Sequence, residues 1–183
     1  TNSEAVDFHR WLQLEADLQL TRAATSGAGL VADLPVGFDP DGFDAWHDQE
    51  LLASSCSVGA PPDDLGPMGQ NWGIPPYVPW RLRCAGYRPW LDTLRAVLRN
   101  ARALRIDHVM GLFRLFWIPP GGDATSGAYV YQYGAELLDL ALMEAARVDA
   151  LLIGEDLGTV EASVQEAMTR RNVFGYRVGW FED

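Results

Sequence analysis

Three short apolar runs that end at or beside a carboxylate constrain this chain more than any other feature. They are Leu30-Val31-Ala32-Asp33-Leu34-Pro35, Leu104-Arg105-Ile106-Asp107-His108-Val109 and Ala150-Leu151-Leu152-Ile153-Gly154-Glu155. Each has the length and apolar content of a buried strand. Helical periodicity fills the intervals, predicting helices over 3–25, 87–102, 135–146 and 160–170, with a fourth strand over 176–181. Alternating strands and helices favour a parallel sheet with right-handed crossovers. In closed parallel barrels the chemistry gathers at the C-terminal ends of the strands, where these acids stand. At 183 residues the chain is long enough for one domain with a sizeable core. It falls short of the about 250 residues that a complete eight-stranded (β/α) barrel takes.

Side chains two apart on a strand share a face. Val31 therefore pairs with Asp33, Arg105 with Asp107, and Leu151 and Ile153 with Glu155. If those faces line one barrel mouth, the acids converge as the two carboxylates of a retaining glycosyl-transfer site. Arg105 beside Asp107 favours an ionised nucleophile, and the apolar neighbours of Glu155 favour a protonated acid. Two other readings use the same residues. Arg105 and Asp107 form an ion pair that only fixes the strand, with Glu155 and Asp156 on a solvated turn. Alternatively, Asp33, Asp107, His108, Glu155 and Asp156 ligate Mg²⁺ or Mn²⁺, although their spacing matches no known ligand set. Alternation turns His108 away from Asp107 unless the strand has already ended.

Between the first two runs lies a segment, about 36–86, dense in Gly, Pro, Asp and aromatic residues. Loops this long in compact domains are functional or disordered. Phe38, Phe43, Trp46, Trp72, Tyr77 and Trp80 argue against disorder. Such rings stack on the C–H faces of pyranoses, and Trp72 has Gln70 and Asn71 beside it; the competing use is a small satellite core.

A net charge of −11 argues against nucleic-acid backbones and anionic membranes as partners. No apolar run approaches the roughly 18 residues of a membrane span. Cys56 and Cys84, in no metal-like spacing, suit a reducing cytosol.

Five co-linear motifs carry a resemblance. They are Ser57-Val58-Gly59-Ala60-Pro61-Pro62-Asp63; Leu65-Gly66-Pro67-Met68-Gly69-Gln70-Asn71-Trp72-Gly73; Leu104 to Met110; Gly127-Ala128-Tyr129-Val130; and Ile153-Gly154-Glu155-Asp156-Leu157-Gly158-Thr159-Val160. Together they resemble the 4-α-glucanotransferase family (amylomaltase, or disproportionating enzyme) from about Asp7 onward. The resemblance implies an α/β fold that is part of a (β/α)8 TIM barrel, about strands three to six. It makes 1–183 a partial catalytic barrel domain whose substrate-binding loop is the 36–86 segment. It implies retaining double displacement between maltodextrins, with Asp107 as nucleophile and Glu155 as acid/base. Arg105 would orient the nucleophile, and Asp33, Gln70, Trp72 and His108 would bind substrate. No metal or organic cofactor is expected, and the location expected is cytoplasmic. The family's third catalytic carboxylate, in a later His-Asp motif, has no match here, and Asp183 does not supply it. Gln132-Tyr133 departs from the Tyr-Pro expected after Gly-Ala-Tyr-Val. These departures lead to the expectation of an internal fragment, with a non-catalytic glucan-binding piece as the alternative.

Overall fold

A computed structural model describes residues 3–64, 66–158 and 160–181. Leu65, Thr159 and Asp183, which entered the motif reading above, lie outside the described residues. In chain order the elements are α1 (Ser3–Ala24), β1 (Val31–Leu34), α2 (Phe43–His47), β2 (Ser57–Ala60), β3 (Gln70–Ile74), α3 (Pro79–Cys84), α4 (Arg88–Leu98), β4 (Ala103–Ile106), β5 (Arg114–Ile118), β6 (Ala128–Tyr131), α5 (Gly134–Arg147), β7 (Leu151–Gly154) and α6 (Ala162–Arg170).

The three acid-ended runs form one parallel sheet in the order β1-β4-β7. Register places Asp33 beside Arg105, Arg105 beside Ile153, and Ile106 beside Gly154. Asp107 and Glu155 therefore stand next to each other, one residue beyond the paired strand ends. Leu34, Leu104, Ile106 and Leu152 turn into the core with Leu94 and Leu98 of α4 and Leu137, Leu138 and Ala141 of α5. Leu94, Leu104 and Leu138 lose all contact with solvent. Removing such a side chain from water stabilises the fold by roughly 1.5–3 kcal/mol each. Arg95 of α4 reaches the buried Glu144 of α5 at 2.9 Å, and the Trp90 indole donates to the Leu137 carbonyl at 3.1 Å. These contacts hold the two helices in one orientation over the sheet.

Two expectations need correction. The predicted strand over 176–181 is absent; Gly179–Phe181 is a turn of 3-10 helix. The chain instead makes its parallel bridge to Ile153 at Phe174, upstream of that run. Short-range alternation located the apolar run, but Asp156 accepting the Tyr176 N–H draws the backbone off the strand path. Second, the fold is not a single parallel sheet. A four-stranded antiparallel sheet, ordered β3-β2-β5-β6, is built from the 36–86 segment together with 114–131. Its central pairing bridges residues far apart in the chain, as Val58 with Trp117, so no local period announces it.

Glycine makes this second sheet possible. A Cβ on Gly59 would lie 1.9 Å from the Gln70 carbonyl oxygen, and one on Gly69, at φ +65°, would lie 2.7 Å from the Ala60 oxygen. Only bare backbone lets β2 and β3 approach so closely.

The first helix forms over the predicted span, yet buries none of its residues. Its ties to the rest include Asp17 with Arg99 at 3.0 Å and Thr21 with Asn100 at 3.2 Å. Phe8, Trp11, Leu14 and Leu18 are exposed. Among the described residues no helix is long and apolar enough to cross a membrane.

Candidate active site

The site is assembled where β1, β4 and β7 end. Arg105, on the face that alternation assigns it, directs all three parts of its guanidinium at different partners. One terminal nitrogen donates to Asp33 at 2.6 Å, the other meets Asp107 at 2.7 Å, and Nε donates to the Tyr176 hydroxyl at 2.9 Å. Arg105 is 24% exposed, Asp107 37% and Asp33 64%, so the cluster opens to solvent rather than forming a buried strand-fixing pair. The hydrogen bond to Asp33 raises the Arg105 pKa most; partial burial opposes the rise, while Asp107 and Tyr176 add to it. The result is a fixed positive charge that holds the Asp107 carboxylate in place.

Glu155 is held differently. Its Oε2 accepts the His108 backbone N–H and its Oε1 accepts the Leu157 N–H, both at 2.9 Å. Its own backbone bridges to β4, donating to Ile106 O and accepting from Val109 N. The expected apolar surround is therefore not what this carboxyl meets: both oxygens face backbone donors.

The strand β4 ends at Ile106, so alternation no longer governs His108. Its φ of 47° lies in the left-handed region, followed by a 3-10 turn over Val109–Leu112. This conformation, unfavourable for a residue with a Cβ, aims the His108 N–H at Glu155. Burial lowers the imidazole pKa; the charges of Glu155 and Asp107 oppose that shift, and Arg114 reinforces it. His108 is thus a neutral ring at neutral pH.

The antiparallel sheet brings aromatic surface to this point. Trp72 stands edge-on to His108, with ring centroids 5.7 Å apart and planes at 83°. Its indole N–H donates to the Gln70 side-chain oxygen at 2.9 Å, fixing the ring. The seven residues singled out from sequence fall into two contact groups: Asp33, Arg105 and Asp107 in one, and Glu155, His108, Trp72 and Gln70 in the other. The four acids and one histidine of the metal reading are not gathered; among the described residues no group of three or more His, Cys, Asp or Glu could hold a metal ion.

Tyr176 was missed. It sat in a run read as strand interior, where nothing marks a hydroxyl as a partner for an arginine 71 residues away. Asp156, which the sequence offers as a possible ligand or as part of a solvated turn, accepts the Tyr176 N–H at 2.7 Å. A Cβ on Gly175 would come 2.7 Å from the same carboxylate.

Behind Asp107 and His108 lies a mostly apolar cavity of about 260 Å³, lined in part by Leu34, Phe38, Trp90, Leu112 and Leu137. Asp33, Arg105 and Glu155 do not border it. Asp107 and His108 border it from the strand end, so of the two facing acids only Glu155 lies away from this cavity.

Such a pair of carboxylates, one braced by an arginine and the other held by two backbone N–H groups, suits attack on an acetal carbon with protonation of its leaving oxygen. Comparison with known proteins points the same way. Residues 1–183 match the family model described as 4-alpha-glucanotransferase. The 4-alpha-glucanotransferases of Mycobacterium tuberculosis and Haemophilus influenzae are 45% and 42% identical to the chain, each over 99% of it. The chain spans only 26% and 27% of the length of these relatives. Amylomaltase from Corynebacterium glutamicum superposes over 100% of the chain, and 27% of its own, with a TM-score of 0.93 at 42% identity. Amylomaltase from Streptococcus agalactiae, solved with acarbose, matches 96% of the chain and 37% of its own at a TM-score of 0.83; at 22% identity it shares the fold alone.

Proposed function

The chain belongs to the 4-alpha-glucanotransferase family, and on that premise we propose that the whole protein moves α-1,4-glucan segments between maltodextrins. The observation that carries this reading is the juxtaposition of Asp107 and Glu155 just past paired strand ends, with Arg105 braced on the first.

In the proposed reaction the Asp107 carboxylate attacks the anomeric carbon of a glucan bound across the strand ends. The C1–O4 bond breaks, Glu155 gives its proton to the departing O4, and a glycosyl ester on Asp107 forms. Glu155, now a carboxylate, takes the proton from the 4-hydroxyl of an acceptor glucan, which attacks the same carbon. The ester bond breaks and Asp107 is free again. Two inversions retain the α configuration, and one glycosidic bond is exchanged for another. Arg105 keeps Asp107 aimed. Trp72, held by Gln70, offers a stacking face for a sugar ring, and His108, neutral beside Glu155, offers a hydrogen-bonding edge. Asp33 lies within reach of sugar hydroxyls.

We place the parallel sheet as part of a (β/α)8 barrel, about strands three to six, and the 36–86 segment as its substrate-binding insertion. The third acid of the family would come from residues outside those described here. Cys56 and Cys84, both unpaired, fit a reducing cytoplasm.

Asp107→Asn in the full-length protein should lower maltotriose disproportionation by about 10³-fold or more while leaving the thermal midpoint unchanged. Near-normal glucose release by that variant would remove the nucleophile assignment. In a glucan-bound crystal structure the two carboxyl groups should stand roughly 5–5.5 Å apart, the retaining distance; about 9 Å would contradict double displacement.

A further inference from the structure

A second aromatic surface lies away from the strand ends. On α2, residues three and four apart share one face, and Phe43, Trp46 and His47 occupy it. Phe43 and Trp46 are each 68% exposed. Their centroids are 5.8 Å apart at 47°, and Phe43 stacks on His47 at 5.4 Å and 22°. The opposite side of the helix is anchored: Ala45 is buried, and the buried Asp48 takes His47 Nδ1 at 2.9 Å and the Tyr77 hydroxyl at 3.3 Å. The rings are therefore held outward on a fixed base.

Beside them runs a cleft of about 410 Å³ against the start of α4, bordered by Asp44, Arg88, Asp92 and Thr93. Asp44, Pro89, Thr93 and Val97 also border the cavity that reaches Asp107 and His108. The two spaces thus lie on either side of these shared residues.

From this geometry we infer that Phe43 and Trp46 form an accessory platform for an α-1,4-glucan, separate from the strand-end site. The inference rests on the glucan reading proposed above. Two flat rings flanked by hydroxyl-binding side chains match a pyranose, whose C–H face stacks while its rim hydrogen-bonds. Three carboxylates, Asp44, Asp48 and Asp92, against one arginine disfavour an anionic ligand. Two aromatic residues present far less than the roughly 1,200–2,000 Å² that a stable protein–protein interface buries. A neutral polyhydroxylated chain meets all three conditions.

The test uses the full-length protein, electrophoresed through gels with and without amylose. Wild type should be retarded by amylose, and the double variant Phe43→Ala/Trp46→Ala should lose retardation by at least about fivefold. Trp46→Tyr, which keeps an aromatic face, should stay within about twofold of wild type. The ratio of kcat/KM on amylose to kcat/KM on maltotriose should fall by about fivefold in the double variant. Absence of wild-type retardation, or retardation and ratio both unchanged in the double variant, overturns the platform. If the double variant fails to fold, Trp46→Gln alone decides by the same readings. A parent that is retarded through Trp46 but transfers nothing would sink the catalytic reading and leave the platform. An active transferase indifferent to both rings would do the reverse.

Discussion

At the scale of single residues, the site depends on how one guanidinium is shared. Arg105 serves Asp33, Asp107 and Tyr176 at once, and the tyrosine hydroxyl fixes the rotation that points the other two nitrogens. Hydrogen bonds to a charged group contribute about 1.5–3 kcal/mol, and the two carboxylates remain when the hydroxyl is lost. Tyr176→Phe should therefore lower kcat about tenfold with KM and thermal midpoint unchanged; a rise in KM with constant kcat would make Tyr176 a binding residue instead. His108 carries a pH dependence. Its pKa is lowered in the fold, so between that value and its ordinary 6.5 the unfolded chain binds the extra proton. Stability is full above the ordinary value and is lost as pH falls below it. The urea midpoint should drop between about pH 7.5 and about pH 5, and His108→Asn should flatten that drop; an equal drop in the variant would show that other groups cause it. The placement of Asp107, Glu155 and Arg105 at neighbouring strand ends was legible from sequence because a two-residue period is local. The partners of Glu155 were not, since they depend on a left-handed His108 that no pattern foretells.

Among the elements, the helices α1, α4, α5 and α6 and the strands β1, β4 and β7 were readable because each carries its own apolar period. The antiparallel sheet was not. Arg114-Leu115-Phe116-Trp117-Ile118 reads as an uninterrupted apolar run after Arg114, and the strand is recognisable only through its partners at 57–60 and 128–131. That sheet positions Gln70 and Trp72, so its closest contact should control the site from a distance. Gly59→Ala puts a Cβ against the Gln70 backbone, which no side-chain rotation relieves. Expected results are a stability loss of about 1–3 kcal/mol and a fall in kcat/KM of at least about tenfold as Trp72 shifts from His108. Wild-type kinetics in this variant would mean that β3 is free to move without consequence. A core control is Leu94→Ala, which should cost about 2–5 kcal/mol by leaving a cavity under α4, read by chemical denaturation, with turnover at low temperature retained.

For the molecule as a whole, the described residues leave apolar surface uncovered. Phe8, Trp11, Leu14 and Leu18 form an open stripe along α1, and β1 offers one unpaired edge of the parallel sheet. By itself the 183-residue chain should self-associate in light scattering, and Trp11→Glu with Leu18→Glu should shift it toward monomer. A monodisperse monomer of unaltered sequence would show that the stripe needs no cover. What the sequence determined alone was part of the set of segments: where the four longer helices run, where the three parallel strands end, and which acids stand at those ends. These follow from propensity and periodicity within a few residues. Only tertiary structure decided which ends meet. The Arg105–Asp33 and His108–Glu155 contacts span 72 and 47 residues of chain, and the Trp72–His108 contact requires an entire second sheet. Such contacts exist because core burial fixes distant backbones at hydrogen-bonding distance, a condition that no local stretch of sequence contains.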